Sequence, residues 1–373
     1  MNQKLRILVI GNFPPDQQQS MIRFASLLVS IYSSSYDVTL CAPRAFISLF
    51  PGLPNFARKY LAYIDKLVLF PLSLLWNFRS YDLVHIADHS NAFYSFCITG
   101  RRCIVTCHDL LAVRGAMGDQ TASCQASPIG IWLQRLIIAG LRHADAVAFD
   151  SCATFHDYKR FIDNSAGGST HTVIPIPLNA PFSPDPQSFC LSAIERAKLP
   201  RQPYLLMVGS SLPRKNRDLA IKLLLYLGSN SPYQLVFAGA TLTAAERNFH
   251  ETHPLGALLI SITGPSHPLL NLLYCQAHAL LFPSFSEGFG WPLVEAQTCC
   301  CPVIASTTTS IPEVAGEGAL FAEPNDVETF AAHVHALECP DERARLISLG
   351  VINTRRYDPL VVGESYRRFA YPP

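Results

Sequence analysis

Short apolar runs rich in β-branched residues punctuate the chain, each bounded by turn residues and followed by a longer stretch of helical character. Five fall in the first half (LRILVIG, YDVTLCA, DLVHIA, CIVTCHD, AVAFDS) and five in the second (YLLMVGS, YQLVFAG, LLISITG, ALLFPS, PVIAS). Runs of this length with helices between them predict buried parallel strands in βαβ units, so the expected fold class is α/β in two halves. Between the halves, residues 175–203 carry Pro175, Pro177, Pro181, Pro184, Pro186, Pro200 and Pro203. Proline removes backbone donors and fixes an extended path, which makes this stretch the candidate linker. Open parallel sheets bind ligands beyond the carboxyl ends of their strands, and two such domains facing each other would build one cleft, so the loops after strands are where chemistry is expected.

One of those loops reads SFSEGFGWPLVEAQ, from Ser284 to Gln297. Gly288 and Gly290 supply backbone freedom, Pro292 suits a first helical turn, and Leu293, Val294 and Ala296 begin an apolar periodicity. A helix therefore starts here, with its positive end and unpaired N–H groups facing a ligand. Glu287 and Glu295 flank that turn, and two carboxylates beside a helix start predict a ligand rich in hydroxyl donors. After YLLMVG, Arg214, Lys215 and Asn216 precede an amphipathic helix, where two cations would suit a diphosphate. After CIVTC, His108-Asp109 reads as a hydrogen-bonding pair, a general base or a helix-capping turn. The first strand ends at Gly11 without a G-x-G-x-x-G, which speaks against a nicotinamide or flavin site. Ser310 and Glu313 are spaced as a capping box, and His250, His253, His267, His333 and His335 read as surface or packing residues.

Composition narrows the classes further. A length of 373 residues favours two domains. Hydrophobic residues make up 49% and charged residues 15%, and the mean hydropathy is +0.20, so the chain is globular and not disordered. A formal net charge of +1 gives no overall basic field for nucleic acid. Twelve cysteines contain no C-x2-C pair, so they are expected as reduced thiols in a cytoplasmic protein, with no metal site. The opening MNQKLRILVIGNF is too briefly apolar for a secretory signal. From Phe56 to Tyr81 the chain is apolar and aromatic, with Arg58, Lys59, Lys66 and Arg79 around Pro71. Its longest apolar core, Leu67 to Trp76, is about half the roughly 20 residues needed to span a bilayer, so the segment fits either a membrane surface or a buried helix.

VGSSLPRKN, LLYCQAHALLFPSFSEGFGWPLVEAQTCCCPVIAS and SIPEVAGEGALFAEPND resemble, in order and spacing, the C-terminal half of the retaining glycosyltransferases of family 4. TCHD and ADAVAFDSCAT resemble that family's N-terminal half, and RRYDPLVVGESYRRF is similar to its closing helix. The resemblance implies the GT-B fold, with two facing Rossmann-like domains. Residues 1–180 would form an acceptor-side domain, 181–203 the linker, 204–355 the nucleotide-sugar domain and 356–373 a helix crossing back to the first domain. It also implies that Glu287 binds donor-sugar hydroxyls, that Glu295 binds the ribose, and that the N–H groups of Phe289, Gly290 and Trp291 face the sugar or diphosphate. Arg214 and Lys215 would neutralise the leaving diphosphate, His108 would approach the sugar near its anomeric centre, and Ser284 would assist.

The partners implied are a nucleoside-diphosphate sugar (UDP- or GDP-linked) as donor substrate and a saccharide or polyprenyl-linked acceptor at the inner membrane face. No separate cofactor and no metal are expected. Two departures stand out: Ser210 occupies a position where many members carry arginine, and PDQQQSM replaces paired glycines, leaving Gln19 and Ser20 to supply donors. They keep open a non-catalytic partner subunit, and a sugar-nucleotide epimerase of the same fold is the other alternative.

Overall fold

The computed structural model describes residues 4–48, 54–119, 122, 124, 126–162, 170–178, 180–185 and 187–372. The side chains of Asn55, Phe56, Lys59 and Asn77 lie outside that description, as does Pro186 of the proline-rich stretch. The chain divides into two compact units, 1–179 with 359–373 and 180–358.

The first unit holds six parallel strands, β1 (Arg6–Ile10), β2 (Asp37–Cys41), β3 (Leu83–Ile86), β4 (Arg102–Cys107), β5 (Ala146–Phe149) and β6 (Thr170–Val173), in the order β2-β1-β3-β4-β5-β6. The second holds β7 (Tyr204–Gly209), β8 (Gln234–Gly239), β9 (Leu259–Thr263), β10 (Ala279–Phe282), β11 (Val303–Ser306) and β12 (Ala319–Ala322), also parallel, in the order β12-β11-β10-β7-β8-β9. Counted within its unit, that is 6-5-4-1-2-3, the doubly wound dinucleotide-fold order. Two Rossmann-like parallel sheets are therefore present, and all ten runs form strands.

The hydrophobic pattern missed β6 and β12 and misjudged β2. THTV is mostly polar because β6 is an edge strand, and ALFA is too short and alanine-rich to stand out. β2 is also an edge strand and is largely exposed, not buried. Central strands read clearly because helices cover both their faces: β3, β5, β10 and β11 are buried along their whole length.

Each sheet has its own core. Val84, Ile86, Val105, Val147, Phe149 and Leu141 anchor the first, and Leu205, Leu223, Phe237, Leu281, Ile304 and Phe330 the second. The C-terminal helix, Pro359–Ala370, packs on the first unit: Arg367 donates to the Ile31 carbonyl at 3.3 Å, and buried Tyr366 meets Phe24 edge-on. In the second unit the proline-rich stretch is tied down where the Ser183 N–H donates to Asn271 Oδ1 and Asn271 Nδ2 donates to the Ser183 carbonyl. All twelve cysteines are free thiols.

Candidate active site

The second sheet reverses direction between β7 and β10, and a ligand crevice opens at such a switch point. The loops leaving those two strands are joined there. The Phe285 N–H donates to the Arg214 carbonyl at 2.8 Å, and Asn216, held at φ 56°, donates from Nδ2 to the Pro283 and Pro324 carbonyls. Asparagine tolerates this left-handed backbone, which explains its place after the two cations.

This bracing brings Arg214, Lys215 and Glu287 into contact. Arg214 Nη1 lies 2.6 Å from one carboxylate oxygen of Glu287 and Lys215 Nζ 2.6 Å from the other. Arg214 also donates to the Ser286 carbonyl, and Lys215 sits over the Phe282 ring. Burial opposes ionisation of Glu287, but Lys215 and Arg214 outweigh it and hold the carboxyl below its usual range. The trio therefore carries one net positive charge.

The loop itself is held from β11. The Glu287 N–H donates to Thr309 Oγ1 at 3.0 Å, and Ser310 Oγ donates to the carbonyls of Glu287 and Phe289. The expected Ser310–Glu313 capping box does not form, because the Ser310 hydroxyl is spent on this loop and makes no cap bond to its own helix. The Ser284 carbonyl accepts from Ser306 and Thr308, and its side chain is buried. Gly290 then turns the chain at φ 106°, where a side chain would be strained and its Cβ would lie 3.1 Å from Leu293. Phe289 is buried beside Tyr357, and the helix begins at Trp291. Glu295, four residues into that helix, is buried and accepts from the Tyr274 hydroxyl at 2.8 Å. Burial and the Glu295 charge push Tyr274 far above its ordinary value, so it remains a donor.

His108 belongs to the first unit. That sheet reverses between β1 and β3, and four adjacent strands β1, β3, β4 and β5 end in Asn12, Asp88, His108 and Asp150. His108 Nδ1 meets Asp150 at 2.5 Å and Nε2 meets the Ala87 carbonyl at 2.8 Å. Burial disfavours the imidazolium, but the charge and hydrogen bond of Asp150, helped by Asp88 and Ala87, raise His108 to about 9. Both ring nitrogens thus donate. Behind it His85, bonded to Tyr32 and Thr106, is lowered to about 3 by burial and the His108 charge and stays neutral. At the switch point Asn12 donates to Asp88, which also accepts from Ser90 N–H and Oγ. Burial opposes ionisation of Asp88, but His89, His108 and Asn12 hold it well below the carboxylate range.

Sequence reasoning missed Asn12, Asp88, Asp150, Tyr274, Ser286 and Thr309. Asp88 and Asp150 had a legible signal, a carboxylate immediately after an apolar run. Tyr274 and Thr309 reach the site from other elements, so spacing within the motif could not reveal them. Ser286 Oγ is buried without a hydrogen-bond partner among the described residues, as is Asp150 Oδ1.

Residues 193–350 match the family of glycosyl transferases group 1. O-antigen chain mannosyltransferase B of Escherichia coli is 34% identical over 162 residues, 41% of each chain. O-antigen chain mannosyltransferase RfbU of Salmonella typhimurium is 32% identical over 150 residues, 40% of this chain and 42% of that one. The alignments thus span about two-fifths of these relatives. Among solved structures, a sucrose-phosphate synthase from Thermosynechococcus elongatus superposes over 98% of this chain and 99% of its own with a TM-score of 0.73 at 18% identity, a likeness of GT-B fold.

Proposed function

We propose that this chain, which belongs to the glycosyl transferases group 1 family through residues 193–350, is a retaining, metal-independent glycosyltransferase. It moves a hexose from a UDP- or GDP-linked sugar to a hydroxyl acceptor in surface-polysaccharide or glycolipid assembly at the cytoplasmic side of a membrane. The observation that carries this reading is the Arg214–Glu287–Lys215 trio at the β7/β10 switch point. Two cations fixed at 2.6 Å from one carboxylate are already oriented, so little reorganisation is needed when a diphosphate arrives.

In the reaction the bond from the anomeric carbon to the β-phosphate oxygen breaks, and a bond from the acceptor oxygen to that carbon forms on the same face. The acceptor's proton passes to the departing phosphate. Arg214 and Lys215 stabilise the charge on that phosphate, which is the electrostatic task a metal would otherwise perform. Glu287 uses its remaining lone pairs for sugar hydroxyls, and its pairing with two cations makes it a poor nucleophile. Glu295, oriented by Tyr274, accepts from the ribose hydroxyls. The positive end of the helix at Trp291, with the Phe289–Trp291 backbone, adds to the anion's field. Ser284 holds the loop through its carbonyl. His108, a cation near neutral pH with both nitrogens engaged, contributes charge rather than acting as a base.

The test is release of nucleoside diphosphate from UDP-, GDP- and ADP-sugars with EDTA present, mannosyl donors first because two relatives are named mannosyltransferases. The parent should cleave one donor slowly, and Glu287→Ala and Lys215→Ala should each lower that cleavage about 100-fold or more. No turnover and no calorimetric binding of any donor would favour a non-catalytic partner subunit.

A further inference from the structure

The segment expected either on a membrane surface or in the core buries one apolar face and leaves another exposed. Helical turns run without a break from Asn55 to Ser80: an α-helix to Ile64, a π-helical stretch Asp65–Leu69, an α-helix Phe70–Asn77 and a 3-10 turn. Phe70, Leu74 and Phe78 face the core of the first unit. Tyr60, Ile64, Val68, Leu72 and Trp76, every fourth residue, are exposed, Trp76 at 85% and Leu72 at 53%.

In a regular α-helix such a row drifts by about 40° at each step, about 160° over the five. The wider π turn between Ile64 and Val68 rotates the row back and keeps it nearer one face. The same widening accommodates Pro71, which has no N–H to offer the Leu67 carbonyl. The row is about 24 Å long at 1.5 Å per residue.

Charge says what covers it. Between 54 and 80 the only carboxylate is Asp65. It is turned inward, accepting from the N–H groups of Phe46, Ile47 and Ser48 and from Ser48 Oγ. Although burial opposes ionisation, these donors hold it below the usual range. Among the described residues the exposed charges on this segment are the cations Arg58, which also lines a cavity with Ala62, Tyr63 and Lys66, and Arg79, near its two ends. An aromatic and aliphatic row with cations at its ends and no outward anion matches an anionic lipid surface. Among the described residues no helix is long and apolar enough to cross a membrane, so contact would lie in the interface plane.

We infer that the face formed by Tyr60, Ile64, Val68, Leu72 and Trp76, flanked by Arg58 and Arg79, docks the first unit onto an anionic lipid bilayer. This deepens the membrane side of the proposed function and rests on that reading for its purpose, but binding is measured without turnover. On the inward side of the same helix Tyr63, Lys66 and Leu67 line a cavity of about 200 Å³ together with Asn12, Ser90 and Gln134. Docking would therefore bring a polar cavity close to the lipid headgroups.

The experiment is flotation with phosphatidylcholine vesicles and with vesicles containing phosphatidylglycerol, at low and high salt. The parent should float with the anionic vesicles, at least tenfold less with neutral ones, and less as salt rises. Leu72→Glu with Trp76→Glu should lose at least tenfold in partitioning, and Arg58→Glu with Arg79→Glu should remove the lipid selectivity. Circular dichroism and unchanged donor hydrolysis would show the variants folded and separate this result from the transferase reading. Equal flotation of parent and both variants overturns the proposal. So does a parent that ignores vesicles but forms a dimer that Trp76→Glu dissociates, since the face would then join two copies.

Discussion

The two sheets place opposite solutions at their switch points. In the second unit the charges of Arg214, Lys215 and Glu287 sit on loops after β7 and β10 and pair directly, leaving one net positive charge. In the first unit the charges lie on adjacent strand ends, and Asp88, His108 and Asp150 are deeply buried. One arrangement offers two oriented cations that can take an anion as a further partner. The other fixes a cation in place through Asp150 and the Ala87 carbonyl. A ligand can compete for the first set, whereas the second can only lend its field.

The largest test of that contrast is Lys215→Ala. Losing one preorganised charge from the transition state costs on the order of 100- to 1,000-fold in kcat, read as nucleoside diphosphate release. Adding an ammonium salt to the Lys215→Ala protein should restore part of the rate, because the missing group is a cation.

Next comes the pH dependence of stability in the first unit. His108 is raised in the fold to about 9 from an ordinary 6.5. Its contribution is therefore full below about pH 6.5 and is lost as the pH rises through 9. A shift of that size corresponds to about 3 kcal/mol. Urea unfolding between pH 6 and 9.5 should show this slope, and Asp150→Asn should flatten it. An unchanged slope in Asp150→Asn would mean that the imidazolium is held by something else.

Tyr274→Phe should cost about 1.5–2 kcal/mol, the scale of a hydrogen bond to a charged group. Its effect should fall on donor KM rather than kcat, since Glu295 is assigned to the ribose. Smallest is Ser310→Ala, about 1 kcal/mol in unfolding free energy with a modest loss of rate, because it loosens the carbonyls of Glu287 and Phe289 without touching a charge. If Ser310→Ala were as damaging as Lys215→Ala, loop geometry rather than charge would dominate the second unit.

Much of this was legible along the chain. The central strands are buried on both faces, so their apolar runs are unbroken, and parallel order follows from the helices between them. The Ser284–Gln297 motif was readable because a helix start needs glycine, proline and apolar residues at close, fixed spacing. The edge strands β2, β6 and β12 were harder, since an edge relaxes the demand for apolar residues. The Ser310 capping box was misread because its hydroxyl had a better use in space than in sequence.

The sequence by itself determined the layering, the switch-point loops and the residue types that meet an anion, since all of these depend on periodicity and local backbone chemistry. Only the tertiary structure decided which groups pair: Glu287 with both cations, Glu295 with Tyr274, His108 with Asp150. It also decided that Asp65 turns inward while Trp76 turns out. The reason is that charge and hydrogen-bond energies depend on distance and burial, and strand order brings together residues that spacing along the chain keeps apart.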